Sequence, residues 1–289
     1  MKMMITVLSA LLAGAFSLCA QPQQSREWHR DRYDRQVKNV GIAGVGVGTI
    51  LEKWENDYPE DLDMLNAKFE YYLAKSMSDA VVQKDSPRYL GMKPVLTLKD
   101  STGADVYYYQ DTVFDDETFS VALSAAEKAS VLSPLELRPR LNKISALMAY
   151  EKESPELAFD EINSLIDKYV SSRTSAWTLD GEALSKDPKA IDPSFSQAVG
   201  EYCYSLFAKG SPQAYDFFFR LSTRMNKLEP KNTVFIDNMG SYYLVAKKDN
   251  KKAEKYYKKA LKIEPEDYAA ISNLKIIQSS KSKKGQSSK

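Results

Sequence analysis

Side chains able to do covalent chemistry are scarce in this chain. It has one histidine and two cysteines in 289 residues. His29 lies in REWHRDRYDR with no Cys or second His at ligand spacing, so the sequence offers no metal site and predicts a solvated imidazole. Cys203 sits in the apolar run Tyr202-Cys203-Tyr204-Ser205-Leu206-Phe207 without a histidine nearby, which reads as a small buried hydrophobe. Gly44-Val45-Gly46-Val47-Gly48 has the look of a phosphate loop. Position 51 is Leu, however, and the preceding residues are polar or basic instead of strand-like, so helix packing is the better reading. The carboxylate pairs Asp115-Asp116, Glu60-Asp61 and Glu266-Asp267 precede expected helix starts, where they cap N–H groups and complement the helix dipole. No nucleophile–base arrangement emerges, and no catalytic residue, metal or cofactor is expected.

The composition fits a globular protein, with 43% hydrophobic and 27% charged residues. Lys and Arg number 40 against 39 Asp and Glu, which gives no general case for a nucleic-acid binder. The first twenty residues stand apart. Lys2 precedes the uncharged stretch from Ile5 to Phe16, and small residues follow to Ala20, the layout of a secretory signal. Cleavage after Ala20 and a periplasmic or secreted destination follow. A lipid-modified Cys19 is the weaker rival, because Leu18 is bulky for a lipobox. Without Lys2 the chain is neutral, yet residues 231–289 hold 14 Lys and 6 acids, a net +8, leaving 21–230 at −8.

The elements that carry these residues recur. In NKKAEKYYKKALKIEPED, Ala253, Tyr257, Ala260 and Pro265 follow at steps of four, three and five. Steps of four and three share a helix face, and Pro marks the exit. Ala122, Ala126, Ala129 and Pro134 repeat the steps, as do Val47, Leu51, Trp54 and Pro59, and Phe218, Ser222, Met225 and Pro230. Six residues past three of these prolines, Leu65, Ile236 and Ile271 open new helices, and Gly240 leaves room for a neighbouring helix. The pattern resembles the tetratricopeptide repeat (TPR), a 34-residue helix-turn-helix unit. The match is strongest over 234–265, whose turn carries one extra residue. In a second unit Arg140 occupies an apolar position unless the register slips to Leu141.

The resemblance implies an all-α fold, a right-handed superhelix of about four antiparallel helix pairs. Proline spacing locates two insertions. Pro59 to Pro134 exceeds one repeat by about 41 residues, and Pro134 to Pro230 exceeds two by about 28. The first excess, about 85–115, contains a β-hairpin near 93–114, with Val95–Leu98 and Val106–Tyr109 flanking an Asp100–Gly103 turn. It separates helices at 63–76 and 116–131. The second, about 172–193, is irregular, broken by Gly181, Pro188 and Pro193. Helices are expected at 137–151, 156–170, 194–208, 212–227 and 267–278, with Ser154 and Ser211 as N-caps before Pro155 and Pro212. The repeat domain spans 40–278, after a flexible arm at 21–39 and before a disordered basic tail at 279–289.

A TPR array binds through the wall formed by the first helix of each pair. The resemblance therefore nominates Asn66, Glu70 and Leu73; Asn142, Ala146 and Tyr150; Gln197, Glu201, Tyr204 and Ser205; and Asp237, Ser241, Leu244 and Val245. This wall is polar and slightly acidic. It lacks the basic cluster with which carboxylate-clamp members hold a peptide C-terminus, so that mode is not expected. Eighteen tyrosines add aromatic anchors, with Tyr107 and Tyr109 sharing one hairpin face. The leading reading is a non-enzymatic exported scaffold for a protein or peptide. The alternative is a glycan-associated module or weak hydrolase, with Trp177 stacking on a sugar. A third reading is contact of the basic C-terminal end with an anionic surface.

Overall fold

A computed structural model describes residues 23–286. The expected signal segment 1–20 lies outside the described residues, as do 287–289. Among the described residues the chain forms eleven α-helices and two small antiparallel sheets. The helices pair in order: α1 (Arg26–Val40) with α2 (Val47–Asp57), α3 (Leu62–Ser76) with α4 (Asp116–Leu132), and α5 (Arg138–Glu151) with α6 (Glu156–Ser171). Then α7 (Pro193–Lys209) pairs with α8 (Pro212–Leu228) and α9 (Thr233–Ser241) with α10 (Asn250–Ile263), and α11 (Tyr268–Gln286) closes the array. That is five pairs, one more than the repeat spacing predicts.

The extra pair exists because 26–40 is a helix and not a mobile arm. Ser25 accepts a hydrogen bond from the Trp28 amide and caps it. Its sequence looks solvated because only the stripe His29, Tyr33 and Val37, spaced by four, faces the protein. His29 is buried, its Nε2 2.7 Å from Asp57 Oδ2 and its ring stacked on Trp54, so the expected solvated imidazole is corrected. Behind it, Gly48 on α2 leaves room for the Tyr71 hydroxyl, which an added Cβ would meet at 2.7 Å.

Caps set several helix starts. Asp61, Asp115 and Asp267 accept from the amides of Asp63, Thr118 and Ala270, and Ser211 accepts from Ala214. Ser154 does not cap α6. The Glu151 carboxylate takes the Leu157 and Ala158 amides at 2.7 and 2.8 Å, and the Ser154 hydroxyl turns to Gln213. The extra residue in the 234–265 unit is absorbed by a π-helical turn over Tyr242–Ala246, where Lys247 N–H reaches back to the Tyr242 carbonyl. The last helix continues through Gln286, so 279–286 is helical where a disordered tail was expected.

Neighbouring pairs lock like on like. Between first helices, Tyr202 OH donates to the Leu141 carbonyl and Lys209 Nζ to that of Met148. Between second helices, Arg224 binds Asn163 and Asp167, and Phe159 stacks on Phe217 at 4.3 Å. Leu141 and Ile144 are buried, so the apolar position is filled by Leu141 and not by Arg140. One hydrophobic cluster runs from Phe69 to Tyr242, flanked by smaller ones around Trp54 and around Tyr257.

The first insertion is a three-stranded sheet, not a lone hairpin. The expected strands are β2 (Leu96–Lys99) and β3 (Asp105–Phe114), joined to β1 (Met77–Lys84) in the order β1-β3-β2. The Asp115 amide bonds the Ser76 carbonyl at 2.8 Å, pinching the insertion's ends together so that α3 and α4 still pair. The second insertion carries the short hairpin β4 (Thr178–Leu179) and β5 (Glu182–Ala183). Trp177 is buried against Tyr169, its Nε1 donating to Ser172 O, and so cannot stack on a sugar.

Candidate functional site

The exposed stripe of α7 is the clearest feature of the first-helix face. Gln197, Glu201, Tyr204 and Ala208 recur at steps of four, three and four and point away from the core formed by Phe195, Val199, Cys203 and Leu206. Tyr204 is 73% exposed. Beside the stripe, a cleft of about 500 Å³ opens between α7 and α9. Its floor is Ile191, Val234 and Phe235, and its rim is Ser196, Gln197, Glu201, Glu229 and Asn232. The rim is pre-ordered: Ser196 OH donates to Glu229 Oε2 at 2.6 Å and accepts from Asn232 Nδ2 at 3.1 Å, while Gln197 donates to Glu201. At Gly200 nothing lies within 4 Å of an added Cβ, so the cleft reaches the helix backbone. An apolar floor with acidic and amide groups on the rim suits a protein segment carrying amide or basic donors.

A smaller cleft of about 210 Å³ lies between α1 and α3, where Asn66 and Glu70 meet Arg30, Tyr33 and Asp34. Burial raises the Glu70 carboxyl pKa and, with the charges of Glu70 and Asp34, also that of the Tyr33 phenol.

The nominated residues divide accordingly. Asn66, Glu70, Gln197, Glu201, Tyr204 and Ser205 lie on the first-helix face, and Leu73 packs partly into the core. On α5 the reading slips after Asn142. Ala146 is buried and Tyr150 turns inward to stack on Phe119, its OH on Asp116, while Ser145 and Ala149 are exposed. On α9, Asp237 is buried beneath α11, Leu244 packs in the C-terminal cluster and Ser241 bonds the Tyr257 hydroxyl. Val234 on α9 and Val245 in the π-helical turn that follows it are exposed valines. In the sheet, Tyr109 is buried with its OH on the Ser86 carbonyl, so it is no contact residue, and Tyr107 is half-buried on the same face.

The sequence did not reveal what the first insertion does. Its tip crosses to the α7–α8 turn, where Gly91 lies so close that a Cβ would meet the Ala208 carbonyl at 2.6 Å. Along the way Asp111 binds Lys152 and the Tyr89 hydroxyl, and Lys84 covers the Tyr89 ring. Burial alone would raise the Asp111 pKa, but those hydrogen bonds and the Lys152 charge hold it below the usual carboxylate range. A cavity of about 560 Å³ remains between the tip and Tyr204, Phe207 and Tyr215. The second insertion grips the opposite rim. Glu136 accepts from Thr178 OH and from the amides of Arg138, Asp180 and Gly181. Burial opposes ionisation there, yet the bonds keep that carboxyl acidic.

No protein-family model matches the chain, and no curated protein sequence matches it significantly. Among solved structures, similar folds include YrrB, described as a TPR protein with an unusual peptide-binding site, and the MamA protein. YrrB aligns at 13% identity over 85% of each chain with a TM-score of 0.40. MamA aligns at 14% identity over 83% of this chain and 91% of its own, with a TM-score of 0.41. The helix-pair array described above stands on this chain's own contacts.

Cys203 is fully buried, and burial pushes its thiol up to about 12 despite the nearby Ser222 hydroxyl. Among the described residues, no three His, Cys, Asp or Glu side chains are placed to hold a metal ion. None of the described helices is long and apolar enough to cross a membrane.

Proposed function

We propose that this protein is an exported, non-enzymatic scaffold that holds a segment of another protein along its first-helix face. The α7–α9 cleft is the principal contact. The observation that carries this reading is the cleft itself, an apolar floor under a pre-ordered acidic rim beside exposed Tyr204. The first twenty residues support export. The single histidine is engaged with Asp57 and Trp54, and the one described thiol is buried, which favours binding over catalysis.

Gly200→Phe tests the site: an added Cβ there meets nothing within 4 Å, and the ring is expected to occupy the cleft that Gly200 lines. A photo-crosslinking residue at Gln197 in the native cell is expected to give a defined protein adduct that Gly200→Phe abolishes. The same reporter at Lys227, on α8, serves as the comparison. Equal adducts from both positions, or an adduct indifferent to Gly200→Phe, would overturn the assignment.

A further inference from the structure

The C-terminal pair carries a second recessed surface, away from the α7–α9 cleft. Lys252, Lys255, Tyr256 and Lys259 follow at steps of three, one and three on α10, so they share one helix face. With Tyr243 they line an open, shallow pocket of about 340 Å³. Tyr243 belongs to the π-helical turn, the one place where this unit departs from the regular repeat, and it stacks on Tyr256 with ring centroids 5.6 Å apart and planes within 10°. Single π-helical turns inside α-helices often mark functional sites. Lys252 lies over the Tyr243 ring and 3.9 Å from Asp249. Among the described residues Lys255 and Lys259 pair with no carboxylate, although Lys258 beside them pairs with Glu254 at 2.7 Å.

Two tyrosine rings and the lysine side chains make the pocket largely apolar, and its three lysines bring positive charge to it, the Lys252 ammonium lying over the Tyr243 ring. We propose that it docks an acidic protein segment: one apolar side chain enters against Tyr243 and Tyr256, and the carboxylates flanking it meet Lys252, Lys255 and Lys259. Charge complementarity requires an anion, and the apolar interior requires a side chain beside it. The cations are all lysines, and residues 231–289 contain no arginine. The pocket therefore offers point charges without the bidentate fork that favours phosphate. A duplex or lipid phosphate surface gains affinity from many spaced cations and places no side chain in an apolar hole. A single strand stacks its bases on aromatic rings, and the thymidine competitor below reports that outcome. This surface is distinct from the first-helix cleft, so either assignment stands if the other fails.

Fluorescence anisotropy on the full-length chain tests it. The probe is a fluorescein-labelled dodecapeptide of Glu with Phe at every fourth position. Competitors are an all-Glu dodecapeptide, a thymidine dodecamer, and vesicles of phosphatidylcholine and phosphatidylglycerol. Lys255→Gln with Lys259→Gln keeps helix-forming side chains at exposed positions and is expected to weaken the Glu–Phe peptide about tenfold, with Tyr256→Ser costing about fivefold. Raising sodium chloride from about 50 to about 300 mM weakens it several-fold. Gly200→Phe leaves it unchanged. Any of three results would overturn the proposal: no binding of the Glu–Phe peptide; tighter binding of the thymidine strand or the vesicles that survives Tyr256→Ser; or an equal loss from Lys93→Gln with Lys99→Gln, which remove two charges from the first insertion.

Discussion

Asp237 holds a carboxyl that the fold keeps protonated at neutral pH. Burial pushes its pKa up to about 8, helped by the charge of Asp267 and by the hydrogen bond Asp237 gives it. An aspartate in the unfolded chain titrates near 3.9. Because the folded value is the higher one, the favourable contribution is complete below about pH 4 and fades as pH rises towards about 8. Asp237→Asn removes that loss. The stability gap between variant and parent in urea unfolding should therefore widen from pH 5 to pH 8, and a constant gap would contradict the assignment. Gly240 makes a simpler case. A Cβ there would meet the Tyr257 ring at 2.8 Å, so Gly240→Ala should cost about 1–3 kcal/mol in the same assay. The role of Gly240 was legible in the sequence, as were the Asp caps and the buried Cys203, because each rests on local spacing or side-chain type. Asp237 was not: its burial depends on the start of α11, thirty residues downstream.

At the scale of elements, what the sequence hid was whatever lacked punctuation or needed a distant partner. β1 follows α3 with no Gly or Pro between Ser76 and Met77, so no turn signal announced a third strand. Helix α1 shows only a one-residue-wide stripe amid its charges, and that stripe acquires meaning when Trp54 stacks on His29. The hairpin strands and most helix pairs were readable from alternation, caps and proline steps. The off-by-one facing of α5 arose because repeat spacing gives a helix's position more firmly than its rotation about its axis. The reach of the first insertion to the α7–α8 turn was invisible for the same reason as Asp237. Gly91 has φ +75° and faces the Ala208 carbonyl, so Gly91→Ala is strained twice over. It should raise amide exchange over 85–95 while leaving α3 and α4 protected. Unchanged exchange in the loop would show that its tip is not anchored there.

For the whole molecule, the three hydrophobic clusters imply three grades of stability. The central cluster gathers side chains from α3 to α9, whereas the C-terminal one has six buried members, three of them alanine. A repeat array opens from its least supported end. Hydrogen exchange should therefore reach α10 and α11 before α5 to α8, and the reverse order would contradict this. The two insertions sharpen the contrast. One ties the intra-pair turns of α5–α6 and α7–α8 to the α3–α4 pair, and the other stitches the opposite rim between α4 and α7. Among the described residues no hydrogen bond joins either insertion to α9, α10 or α11. A simple solenoid flexes along its whole length like a coil spring. Here the middle pairs are clamped on both edges, and the insertions leave α10 and α11 outside the clamp. The cleft of about 500 Å³ between α7 and α9 lies at the edge of that clamped region, so a partner seated there meets one wall braced by both insertions and a second held without them.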